Sequence, residues 1–165
     1  MQESFAIPGV GGIIEKVENG QDFILLQKRC KQDAPDEFGL LEIPAGKVRA
    51  FENVYDCLRR EISEETGLSV VTILGETDAM QIQLDNYKVN QYQPFTCAQN
   101  LEGDYPIMVQ IFICSCQGRL LESSDESQHL KWVSLRDLKS SLGHVHLFYP
   151  MHVLTLKQYL LYKGY

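Results

Sequence analysis

Pro44-Ala45-Gly46-Lys47-Val48-Arg49-Ala50-Phe51-Glu52-Asn53-Val54-Tyr55-Asp56-Cys57-Leu58-Arg59-Arg60-Glu61-Ile62-Ser63-Glu64-Glu65-Thr66-Gly67-Leu68 decides how this 165-residue chain is read. A glycine loop runs into a helix that closes on clustered glutamates. Stepping about 100° per residue places Val54, Tyr55, Cys57, Leu58 and Ile62 on one arc, roughly 160° wide, that should face a core. Glu61 and Glu65 fall inside that arc and Glu64 sits at its edge, while Asn53, Asp56, Arg59 and Ser63 lie on the other side. A solvated acidic face would carry its charges on the outer side, so these carboxylates point inward.

An inward carboxylate is costly unless it is paired or bound to a metal. Three of them near a helix C-terminus also oppose the macrodipole. Arg60 supplies one compensating charge, and the surplus suits a hard divalent cation with oxygen ligands. The helix is expected over Val54 to Thr66, with Asn53 as N-cap, Asp56 in the first turn and Gly67 as a left-handed C-terminal residue. Pro44-Ala45-Gly46 offers a fixed φ followed by unhindered backbone, which suits a sharp bend that brings main-chain groups close to an ion or phosphate.

Gly46, five residues, Glu52, seven residues, then Arg60-Glu61-Ile62-Ser63-Glu64-Glu65-Thr66-Gly67-Leu68 resembles the full signature of the Nudix hydrolases, with no departure at a defined position. A chance match at nine such positions is on the order of one in a billion per start site, from average residue usage. The resemblance implies an α/β fold of the Nudix type, an α/β/α sandwich with a mixed β-sheet between helices, and one hydrolase domain over residues 1–165. It also implies Mg²⁺ or Mn²⁺ on Glu61, Glu64 and Glu65, helped by the Gly46 carbonyl, with water attacking phosphorus. Arg60 is expected to orient the glutamates, and Glu52, in the lead-in loop, to support them from behind. In family members the general base is a glutamate of the signature or of a distant loop. The acidic stretch from Glu122 supplies Glu126, with Asp125 beside it, so the catalytic set reads Arg60, Glu61, Glu64 and Glu126. For phosphate contact the residues are Lys28 and Arg29 at the end of the second strand, then Lys47 and Arg49 in the loop.

Composition bounds the rest. A 44% hydrophobic content supports a core, and the net charge of −7 argues against general affinity for nucleic acid or anionic membrane. The expected partner is a small nucleoside diphosphate derivative, and the expected state a monomer or homodimer. The N-terminal residues lack a basic segment followed by an apolar core, and no apolar run approaches a membrane span, so a cytoplasmic protein is expected. Five scattered cysteines read as reduced thiols. Cys114 and Cys116 read as strand packing, and His144, His146 and His152 as surface or loop residues.

Phe5 to Val17 and Phe23 to Gln27 read as a hairpin turning at Asn19-Gly20, placed at a sheet edge. Further strands are expected at Leu40 to Ile43, Ser69 to Gly75, Met80 to Leu84, Val89 to Ala98, Tyr105 to Gln117 and Leu130 to Val133. Ser134 should cap a helix reaching about Leu142, and Phe148 to Tyr162 a final helix with Val153, Leu154 and Leu161 in the core. No repeat, low-complexity tract or linker interrupts the chain.

Substrate identity is less constrained. Glu42-Ile43-Pro44-Ala45-Gly46-Lys47 is similar to ADP-ribose pyrophosphatases and favours ADP-ribose or a nucleotide sugar. That subfamily's later proline is replaced by Leu84, while Tyr87 stands near the tyrosine of dinucleoside polyphosphate hydrolases. A (d)NTP or dinucleoside polyphosphate pyrophosphohydrolase, and a nucleotide-binding sensor without turnover, are the alternatives.

Overall fold

The computed structural model describes residues 3–32, 34–122, 124 and 127–165. Strands β1 (Ile7–Glu18) and β2 (Gln21–Arg29) form the expected hairpin. Asn19 and Gly20 both take positive φ, 52° and 75°, as a tight turn matched to strand twist requires. The placement at an edge is corrected. β1 lies in the middle of the main sheet, flanked by β2 and β10 (Ser127–Ser134) on one side and by β9 (Ile107–Gln117) and β5 (Ser69–Ile73) on the other. Both faces of β1 are covered, so its Gly-Val-Gly-Gly-Ile-Ile run is buried almost throughout.

β1 and β9 run parallel while their other neighbours are antiparallel, which makes the sheet mixed. Three short strands complete it: β3 (Leu41–Glu42) on β2, β4 (Ala45–Lys47) on β1, and β8 (Thr96–Gln99) on β9. The sequence reads Ala45–Lys47 as loop, because three residues with a central glycine carry no periodic signal, but pairing with Gly9, Val10 and Gly11 makes them a strand. The extended stretch expected from Val89 to Ala98 divides at Pro94 into β7 (Tyr87–Gln91) and β8. β7 pairs with β6 (Met80–Leu84) in a separate two-stranded sheet.

Side chains alternate across the main sheet. Val10, Ile14, Leu25, Phe112 and Cys114 face α1 (Val54–Thr66) and its Leu58 and Ile62. Ile13, Ile24, Leu26, Ile111 and Ile113 face α2 (Leu135–Ser141) and α3 (Pro150–Tyr162). Helices therefore cover both faces of a mixed sheet, as expected. In α3 the phase differs from the expectation: Leu156, Tyr159 and Leu160 are buried, whereas Leu154 and Leu161 are about three-quarters exposed. The helix is apolar nearly all round, so hydrophobic periodicity alone could not choose its inner face. Among the described residues no helix is long and apolar enough to cross a membrane.

Candidate active site

Helix α1 is set by its two ends. Asn53 accepts a hydrogen bond from the Tyr55 amide at 2.9 Å, and Gly67 adopts φ 77° while its amide bonds the Ser63 carbonyl, a conformation that disfavours any residue with a Cβ. With this phase Glu65 is 3% exposed, and Ile62, Leu58 and Cys57 are fully buried beside it. Glu61 and Glu65 thus face the sheet one turn apart, while the Glu64 side chain remains 55% exposed.

Strand β4 runs under these two glutamates. The Ala45 amide donates to Glu65 Oε2 at 3.1 Å. At the next residue the Glu61 carboxylate lies so close to Gly46 that a Cβ there would sit 1.9 Å from Glu61 Cδ. Glycine is the one residue that leaves room for that carboxylate, independent of φ. The box glycine and the first glutamate of the cluster are therefore in direct contact.

Arg60 gathers the rest. Its Nε and Nη2 donate to the two Glu52 oxygens at 2.8 and 2.9 Å, and Nη2 also reaches the Lys47 carbonyl at 3.2 Å. Its Nη1 bonds Glu61 and, at 3.3 Å, Glu64. Bidentate Arg–carboxylate geometry of this kind fixes orientation as well as charge. The Arg60 bonds, with a further one from the Arg49 amide, hold the Glu52 carboxyl down at about 2. Glu52 lies outside α1, in the lead-in loop, and is joined to Glu61 and Glu64 through Arg60.

Behind Glu65 lies a buried polar chain that sequence reasoning missed. Gln27, with no exposure, donates from Nε2 to Glu65 Oε2 at 2.8 Å and to Glu42 Oε1 at 3.3 Å. Glu42, 2% exposed, is paired at 3.0 Å with Nη1 of Arg29. Burial, with Glu42 nearby, pushes Glu65 up to about 8, against its bonds from Gln27 and the Ala45 amide. Burial likewise raises Glu42, opposed by Arg29. The available signal was a glutamine at a buried strand position between Leu25 and Arg29, since buried polar groups need partners.

Glu61 and Glu64 open onto a cleft of about 980 Å³, with Glu65 buried behind them. Gly46, Glu61, Glu64 and Arg60 form one wall, and Lys47, Arg49, Lys31 and Tyr105 line the remainder. Lys47 Nζ stands 5.3 Å from the centre of the Tyr105 ring.

A NUDIX domain profile matches residues 7–151, a span that holds the loop, α1 and the strands beneath them. The chain belongs to the Nudix hydrolase family. No curated protein matches the sequence. Solved structures with the same fold include the MutT NUDIX hydrolase of Burkholderia pseudomallei, at 22% identity over 81% of this chain and 87% of that one, TM-score 0.59. The NUDIX domain of Shewanella oneidensis NrtR, crystallised with ADP ribose, matches at 14% identity over 84% and 79%, TM-score 0.59. A C. elegans Ap4A hydrolase matches at 15% identity over 97% and 100%, TM-score 0.54.

In this Nudix fold the structure brings together Gly46, Lys47, Glu52, Arg60, Glu61, Glu64 and Glu65. Lys28 is corrected: strand alternation places it with Leu41 on the α3 side of β2, opposite Gln27, and it does not line the cleft. Arg29 does line the cleft, but its guanidinium already carries Glu42 and Glu37 and stacks 4.2 Å over the Tyr149 ring. Glu126 and Asp125 lie outside the described residues. His152 is corrected from surface to core: it is 1% exposed, and its Nδ1 accepts from the Ile43 amide at 3.3 Å.

For a divalent cation the donor set fits: hard carboxylate oxygens in excess of Arg60, and a glycine cradle beside Glu61. Among the described residues no three acidic, histidine or cysteine side chains already close on one point. The reason is local, since Arg60 draws Glu61 and Glu64 while Gln27 and the Ala45 amide hold one oxygen of Glu65.

Proposed function

We propose that this Nudix hydrolase splits the diphosphate of a small nucleoside diphosphate derivative, ADP-ribose or a nucleotide sugar, in a Mg²⁺- or Mn²⁺-dependent reaction. The observation that carries this reading is the contact of Glu61 with Gly46 one helical turn from the buried Glu65. It gathers more carboxylate than Arg60 can neutralise, with Glu61 and Glu64 on a cleft that Lys47 and Arg49 also line.

Glu61, Glu64 and Glu65, with the Gly46 carbonyl, would hold the cation, which supplies neutralisation of phosphate charge and a more acidic bound water. Lys47 and Arg49 orient the diphosphate by charge. Arg60 keeps Glu61 and Glu64 at the cleft edge while Glu52 neutralises Arg60 from the side away from substrate. A water proton passes to a carboxylate, the new P–O bond forms, and the bridging P–O bond breaks, so that two phosphomonoesters leave. Glu64, the most exposed of the three glutamates, is the one best placed to accept that proton among the described residues. The ADP-ribose choice rests on the Glu42-to-Lys47 lead-in, and the Shewanella relative, described with ADP ribose, supports it.

The test is a panel of ADP-ribose, nucleotide sugars, dinucleoside polyphosphates and nucleoside triphosphates with Mg²⁺. Release of AMP and ribose 5-phosphate from ADP-ribose, abolished in Glu64→Gln and Glu65→Gln, is expected. An inactive wild type across the panel, or full activity in both variants, overturns the hydrolytic reading. Preference for a triphosphate or dinucleoside polyphosphate overturns the substrate alone.

A further inference from the structure

The β6–β7 hairpin is paired to nothing else among the described residues: β6 and β7 hydrogen-bond only to each other. Its register puts Met80 opposite Gln91, Ile82 opposite Val89 and Leu84 opposite Tyr87, so all five apolar side chains lie on one face and Gln81, Gln83, Lys88 and Asn90 on the other. Met80, Ile82, Leu84, Tyr87 and Val89 are each between 48% and 73% exposed. An isolated two-stranded hairpin is marginal in water, and a period-2 apolar face is the pattern of a strand that expects cover. The outer face of α3 also exposes Leu154 and Leu161, but Lys157 and Gln158 lie between them in sequence.

From this surface we infer that the chain forms a two-fold homodimer in which the apolar faces of two β6–β7 hairpins pack together. Charge argues for a second copy. The chain carries net −7, so two copies repel over most approaches, yet between Met80 and Gln91 the only charged residues are Asp85 and Lys88, which cancel. The hairpin is thus a neutral, apolar site on an acidic molecule. A nucleic acid or anionic lipid surface would meet the same repulsion with one lysine to offset it.

Area agrees. Five side chains of this size expose on the order of 500 Å² together, at the upper end of what a monomer leaves bare. Met80 and Gln91 continue this surface into a mixed groove of about 600 Å³, lined by Leu74, Tyr92 and Phe95 but also by Asp78 and Gln93, which brings the area toward the roughly 800 Å² per partner of a standard interface. A self-complementary patch closes as a dimer under two-fold symmetry, because each copy's hairpin face is used up by the other's.

Light scattering coupled to gel filtration on the full chain, at tens of micromolar, should give twice the 18.8 kDa chain mass. Ile82→Lys combined with Val89→Lys should give the single-chain mass with unchanged far-UV circular dichroism, the dissociation constant rising by about 100-fold or more as two charges become buried without partners. Should that pair fail to fold, Tyr87→Lys alone is read the same way. Leu154→Lys should leave the dimer intact. A wild type at single-chain mass, a dimer that survives the hairpin substitutions, or one that Leu154→Lys dissociates would each overturn the inference. Co-sedimentation of wild-type monomer with phosphatidylserine vesicles, lost in the hairpin variant, would reassign the face to lipid.

Discussion

The two faces of the central sheet are both closed by helix, but they are built differently. Beneath α2 and α3 the buried set is almost wholly aliphatic and aromatic, from Ile13 and Ile24 through Ile111 to Leu156 and Tyr159. Beneath α1 the core gives way at one end to Gln27, Glu42, Arg29 and Glu65, all under 9% exposed. Most of this chain's groups are bonded, with Gln27 Oε1 a buried exception, and a polar chain at that depth adds little stability over an apolar replacement. The difference teaches that stability and chemistry are separated in space: one face supplies burial, the other gives part of it up to fix carboxylates beside a glycine strand.

Substitutions on each face can break that separation. The largest effect is expected at Gly46→Ala, where the new methyl would occupy the Glu61 carboxylate's position. Turnover should fall by on the order of 100-fold or more, whereas overpacking costs about 1–3 kcal/mol of stability; steady-state kinetics and chemical denaturation together check the contrast. Leu156→Ala, fully buried under the opposite face, should reverse the pattern, losing about 2–5 kcal/mol with kcat at permissive temperature nearly unchanged. If Leu156→Ala lost turnover at full stability, the separation would be wrong.

Glu42→Leu sharpens the comparison by removing one partner of the buried pair with Arg29. It should cost about 3 kcal/mol, typical of an ion pair broken from one side, read by urea denaturation. Gln27→Leu removes the donor that Glu65 and Glu42 share, at about 1–3 kcal/mol for the groups left unbonded. It should also raise the Mg²⁺ concentration needed for half-maximal turnover, an effect a purely structural role would not give.

The smallest effect is a pH dependence on the α3 side. Complete burial, with Arg29 and Lys31 adding positive charge, depresses His152 to about 3. Protonation then favours the unfolded chain, so the contribution is full above the unfolded value near 6.5 and declines as pH falls toward 3, by up to about 1.4 kcal/mol per pH unit. Relative to wild type, His152→Gln should gain stability between pH 7 and pH 5 by roughly 1–2 kcal/mol on that slope. Parallel pH profiles for the two proteins would contradict it.

Much of this is legible in the sequence alone. The α1 boundaries follow from Asn53 and Gly67, the first hairpin from Asn19-Gly20, and the inward glutamates from helical angles, because each depends on local backbone preference or a period. What escaped depends on distant partners. Ala45–Lys47 become a strand through β1, and Gln27 acquires meaning through Glu65, 38 residues away. His152 enters the core through the Ile43 amide, 109 residues away. Lys28 and Arg29 are adjacent in sequence, yet strand alternation sends only Arg29 to the cleft.

The central claim, that the glutamates around β4 form a cation site, is tested most directly by calorimetric titration of Mn²⁺ into the wild type and into Glu61→Gln and Glu65→Gln, each verified as folded. The account predicts binding by the wild type and an affinity at least about tenfold weaker in both variants, a loss of about 1.4 kcal/mol or more. Equal affinity in all three proteins would contradict it.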